Sequence, residues 1–144
     1  MLALRTRSPH PLRVLAPPPQ AELTDALARA RQEASAVSGA FAVAPCEFHV
    51  LPAPAAARLA PADLQRRAGT WVLVTVRLAR EAGHRAHLRE RCLTAAQRFM
   101  LSLACDGVEN AWVDEAPTPG AARDAGVGLG DQDPVGMIWC EPVA

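Results

Sequence analysis

A chain of 144 residues matches one compact domain, since domains average ~150 residues, and can bury about two-thirds of its unfolded surface. Its 15 basic residues, all arginine, are balanced by 15 Asp and Glu, which argues against a basic face for nucleic acid or for an anionic membrane. Half the residues are hydrophobic, but large-apolar runs such as Trp71-Val72-Leu73-Val74 fall far short of the ~20 residues that span a bilayer.

The N-terminus meets Arg5, Arg7 and Pro9 before any continuous apolar stretch develops, so no secretory signal is expected and the address expected by default is cytoplasmic. Residues 1–18 read as an extended, proline-rich arm leading into a helix. From Ala21 the residues Leu23, Ala26, Leu27, Ala30 and Ala34 recur at helical spacing, predicting a first helix over residues 19–34. Residues 46–51 alternate enough for a short strand, ended by Pro52 and Pro54. Residues 61–68 predict a short helix capped at Gly69. Thr70 to Leu78, β-branched and almost continuously apolar, predicts a central strand.

A broad stripe of Leu88, Cys92, Ala95, Ala96, Phe99, Met100 and Leu103 predicts a core helix over residues 87–105, which Gly107 is placed to end in the left-handed conformation. A strand over 108–113, a short helix over 120–125 and a last strand over 134–140 complete the pattern. Alternating helices and strands favour an α/β layer architecture: helices packed on a sheet of about four strands.

Few local motifs carry chemistry. Cys46, Cys92, Cys105 and Cys140 show neither Cys-x-x-Cys spacing nor paired histidines, so they read as buried free thiols, with no metal site expected. His84 and His87 share a helix entrance with Arg85 and Arg89; without a third ligand they read as a solvated polar face. The triplet Gly126, Gly128 and Gly130 lacks the glycine spacing and following helix of a phosphate loop, and reads as a connection between helix and strand. Arg5, Arg7, Ser8, His10 and Arg13 gather donors in one short arm, and arginine forks suit phosphate or carboxylate oxygens.

The succession of pieces resembles the nitroreductase family of FMN-dependent oxidoreductases over nearly the whole chain. Leu93 to Gly107 is similar to that family's long central helix, with Arg98 where the family carries Asn. Ala111 to Val113 resembles the strand after it, Arg123 to Leu129 the next short helix, and Asp133 to Trp139 the last core strand. Arg5-Thr-Arg-Ser8 looks like the family's Arg-Arg-Ser-x-Arg opening, and Pro45 to Val50 like its Gln-Pro-Trp-x-Phe-x-Val strand.

The resemblance implies an α+β three-layer sandwich: a central mixed sheet of about four strands between helices. It implies a flavoprotein that takes a hydride from NAD(P)H and passes electrons to nitro, quinone or enone acceptors. Arg5, Arg7 and Ser8 would then hold the FMN phosphate. Backbone groups near Ser38, Gly39, Ala42, Ala44 and Glu115 would bound the flavin ring, with no catalytic side chain required. Ala42 and Ala44 stand where the family has Asn and Gln, and the chain ends soon after the last core strand, so fewer polar contacts to the flavin are expected than in the family. The alternative is a cofactor-free subunit on the same fold, pairing with itself or with a full-length flavoprotein. A homodimer is expected under either reading.

Overall fold

The computed structural model describes residues 20–36, 46–64, 68–77 and 82–141. They form, in order, α1 (Gln20–Ala36), β1 (Cys46–Val50), α2 (Ala53–Leu59), β2 (Thr70–Arg77), α3 (Ala82–Cys105), β3 (Asn110–Val113), α4 (Pro119–Asp124) and β4 (Gln132–Cys140).

The four strands make one sheet in the order β1-β2-β4-β3, and every pairing is antiparallel. The sheet is therefore not mixed, although the sandwich of helices and about four strands is as expected. The physical reason lies in β4. The α3 crossover sets β2 and β3 running in the same direction, as a helical crossover does, but β4 inserts between them in the opposite direction.

Alternation along β2 divides the core in two. Val72, Val74 and Val76 face one layer, where α1 contributes Leu23, Ala26, Leu27, Ala30 and Ala34, and α3 contributes Cys92, Ala95, Phe99 and Leu103. Trp71 and Leu73 face the other, against Ala55 and Leu59 of α2, Ala122 of α4, and Leu129. Coverage on both faces explains why β2 is almost continuously apolar, a pattern otherwise typical of parallel sheets. The alanines of α1 keep that helix close to its neighbours while contributing little apolar area each.

The second short helix departs from expectation. It occupies Ala53–Leu59, with Pro52 at its N-cap and Pro54 in its first turn, where a missing N–H costs nothing. Residues 62–64 form only a turn, closed by the Leu64 N–H donating to the Pro61 carbonyl at 2.8 Å. Both segments start with proline followed by helix formers, and burial of Ala55 and Leu59 against Trp71 and Leu73 decides between them. The core helix also starts at Ala82, earlier than its apolar stripe. It ends at Gly107 as expected: Val108 N–H reaches Leu103 O at 2.9 Å and Gly107 N–H reaches Ala104 O at 3.0 Å, the Schellman pattern.

The glycine triplet resolves similarly. Gly126 has φ +89°, and Val127 N–H bonds Ala122 O at 2.9 Å while Gly126 N–H bonds Arg123 O at 2.9 Å. It terminates α4 rather than cradling an anion. Pro134 lies inside β4, where the register with β2 shifts between Val74 and Thr75, and a bulge beyond the last β3 pair accommodates its missing donor. Of the four free cysteines, Cys46, Cys92 and Cys140 are buried, whereas Cys105 is exposed, because it falls on the solvent side of α3 at the helix end.

Candidate functional site

Arg5, Arg7, Ser8, Ser38, Gly39, Ala42 and Ala44 lie outside the described residues. Glu115 is described: it is exposed, two positions beyond the end of β3. Among the described residues neither its carboxylate nor its backbone N–H is hydrogen-bonded.

The register shows what shares this end of the sheet. β3 runs from Asn110, opposite Cys140, to Val113, opposite Met137, so the chain leaves it toward the start of β4. β1 begins at the same end, since Cys46 is opposite Val76 and Val76 is opposite Asp133. The stretch that carries Ser38, Gly39, Ala42 and Ala44 leads directly into β1.

Between these two points the sheet face carries a polar cluster. Along β2 the second-face residues run Trp71, Leu73 and then Thr75, the only buried polar residue among those described. The same two-residue period places Glu47 and His49 of β1 on this face, and Gln132 starts β4 beside them. His49 Nε2 lies 3.0 Å from Thr75 Oγ1 and 3.3 Å from Gln132 Oε1. The Thr75 hydroxyl donates to Gln132 Oε1, and Gln132 Nε2 donates to Glu47 Oε2 at 2.7 Å.

The amide orientation dictates the tautomer. Gln132 Oε1 can only accept, so the proton that reaches it from the imidazole sits on His49 Nε2. Thr75 Oγ1 then accepts from His49 and donates to Gln132, and its burial is fully paired. Among the described residues His49 Nδ1 has no hydrogen-bond partner. Thr75→Val keeps the volume but leaves the imidazole and the amide oxygen with one partner fewer; it is expected to lower stability by about 1–2 kcal/mol in urea unfolding. A change within ~0.3 kcal/mol would mean that the hydroxyl is dispensable.

Other features are weaker. Burial, reinforced by neighbouring Glu141, pushes the Cys140 thiol up to about 12, so it is no nucleophile near neutral pH. His84 and His87 are both exposed, and among the described residues no group of three His, Cys, Asp or Glu side chains could hold a metal ion. A shallow groove of about 350 Å³ lies at the opposite end of the sheet, lined by Leu23, Leu27, Arg31, Val50, Leu51 and Thr70. Its guanidinium is engaged, donating to the Phe48 carbonyl at 2.9 Å. No described helix is long and apolar enough to cross a membrane.

A scan against protein-family models and a search of curated proteins found no match. Solved structures do match. A nitroreductase family protein from Streptococcus pneumoniae superposes with a TM-score of 0.66 at 11% identity, covering 89% of this chain and 82% of that one. A protein from Bacteroides thetaiotaomicron, named as an NADH dehydrogenase/NAD(P)H nitroreductase, gives 0.62 at 19% identity over 88% and 76% of the two chains. A protein from Desulfovibrio desulfuricans, named as a nitroreductase and solved in complex with FMN, gives 0.52 at 16% identity over 81% and 74%.

Proposed function

Because this chain has the nitroreductase fold, we propose that it is an FMN-dependent NAD(P)H oxidoreductase, a cytoplasmic homodimer acting on nitro, quinone or enone acceptors. The observation that carries the reading is the shared fold with the FMN-bound Desulfovibrio protein. Bound FMN would supply the redox chemistry, accepting a hydride and passing electrons on; the protein's part is to hold and orient it. Arg5 and Arg7 would grip the phosphate with charge-assisted forks, and Ser8 would add a hydroxyl. Backbone groups from Ser38, Gly39, Ala42 and Ala44 would border the ring.

The described residues fit such a group at one point. The N–H of Glu115 is a backbone donor without a partner among them, available to an acceptor atom on a flavin edge. It lies at the sheet end where β1 starts.

The test is the visible spectrum of purified protein, before and after addition of excess FMN and desalting. Retained flavin bands are expected, and Arg5→Ala combined with Arg7→Ala should weaken flavin affinity about 100-fold, from the loss of two charge-assisted contacts at ~1.5 kcal/mol each. Unchanged occupancy in that variant would remove both arginines from the phosphate site. A specific observation favours a second reading: alanine at 42 and 44 offers no side-chain polar group to a ring. A protein still colourless after reconstitution would support a cofactor-free subunit, pairing with itself or with a full-length flavoprotein.

A further inference from the structure

Two of the four cysteines meet between the sheet and α3. Cys46, the first residue of β1, is paired across the ladder with Val76, and its side chain joins Val72, Val74 and Val76 in the core beneath α1 and α3. Cys92, on α3, brings its Sγ to 3.9 Å from the Thr75 carbonyl oxygen, which belongs to the peptide that joins Thr75 to Val76. Strand register and helix position thus set Cys46 across from Val76 and the Cys92 sulfur against the peptide that leads into Val76. The Cys92 thiol donates to that carbonyl, and both cysteines are free.

A thiol is a weak donor and a weak acceptor, so neither cysteine adds much to the core by hydrogen bonding. The distinctive property of the pair is chemical. We propose that Cys46 and Cys92 form an oxidisable dithiol whose disulfide ties the entrance of β1 to the middle of α3, with a small-molecule disulfide as the oxidant.

The two positions are unequal. Cys92 is fully buried and Cys46 keeps 6% of its surface exposed at the edge strand. Interaction with Cys46, followed by burial, pushes the Cys92 thiol up. Cys46, the sulfur with surface to reach, therefore attacks first: as its S–H bond breaks it displaces one half of the small disulfide, which leaves with the proton as a thiol, and a mixed disulfide forms. Cys92 then attacks Cys46 Sγ, its proton leaving with the second displaced thiol. Two protein thiols and one small disulfide become one protein disulfide and two small thiols, so atoms and electrons balance. The bond closes a loop containing α2 and β2, which restricts the unfolded chain and raises the unfolding midpoint. None of this depends on the flavin reading.

The test uses the full chain carrying Cys105→Ser, which removes the exposed thiol. After incubation with oxidised glutathione, acid quenching and unfolding, the free-thiol count is expected to fall from three to one. A peptide map should show Cys46 linked to Cys92, and dithiothreitol should reverse both the link and the rise in midpoint. Adding Cys92→Ala should stop the reaction at glutathione bound to Cys46. If that variant does not fold, the map of the Cys105→Ser protein decides alone. Three thiols remaining, or a link that involves Cys140, would overturn the proposal.

Discussion

Gly69→Ala is expected to destabilise the protein by about 3–5 kcal/mol, a large share of the ~5–15 kcal/mol that holds a typical domain together. Gly69 has φ +144°, a region that costs a side-chain-bearing residue roughly 1–3 kcal/mol. A Cβ built there would overlap the backbone oxygen of Cys140 and the indole nitrogen of Trp139. Neither can yield easily. Cys140 is paired with Thr70 on one side and Asn110 on the other, so moving its carbonyl disturbs three strands. The Trp139 indole N–H donates to Ala68 O at 2.9 Å, and swinging the ring away forfeits that bond and buried area. Overpacking adds about 1–3 kcal/mol. Urea unfolding followed by tryptophan emission reads the effect; a loss below ~1 kcal/mol would mean that the chain does not pass this close to β4.

Gly69 also shows where sequence reasoning reaches its limit. The sequence marks it as the cap of a helix over 61–68, whereas its function is close approach to β4. Local signals could not separate the two proline-led segments, because both satisfy the same rules for a helix start. What separates them is which one finds apolar surface: Ala55 and Leu59 find Trp71 and Leu73, contacts that no local window contains. The direction of the strands was hidden for the same reason. Crossover logic relates β2 to β3 through α3, and only long-range pairing reveals β4 between them. By contrast, β2, the apolar stripe of α3 and the stop at Gly107 follow from periodicity and capping alone, and there the structure agrees.

The site was legible in a different measure. Glu115 came from the family resemblance alone, since no local motif singles it out. The cluster of Glu47, His49, Thr75 and Gln132 was missed. His49 and Thr75 are 26 positions apart and Thr75 and Gln132 are 57 apart, so no spacing motif could announce them. One signal was present: a threonine inside the apolar run of β2, with Glu47 and His49 at a two-residue interval on the preceding strand. A buried hydroxyl needs partners, and alternating polar residues on a neighbouring strand are where they would be sought. Recognising this requires knowing that β1 pairs with β2 in the register that sets Glu47 against Thr75.

Phe99→Ala is the second large effect, expected at about 3–5 kcal/mol. Phe99 is 1% exposed at the centre of the layer beneath α1 and α3. Its ring stacks on Phe48 with centroids 4.3 Å apart and planes 5° from parallel. Truncation removes the buried ring, opens a cavity that an already packed sheet cannot close, and forfeits an aromatic pair worth about 0.5–1.5 kcal/mol beyond its area. The loss should be uneven across the sheet. Phe48 belongs to β1, which among the described residues is an edge strand with one neighbour, so β1 amides should exchange with solvent faster in Phe99→Ala than those of β4, which is paired on both sides. Leu101→Ala, two residues along the same helix but 60% exposed, should cost no more than about 0.5 kcal/mol. Unfolding midpoints of the two variants give the comparison directly. Similar costs for both would mean that α3 presents a different face to the sheet, and uniform exchange in Phe99→Ala would mean that the aromatic stack does not hold β1 in place.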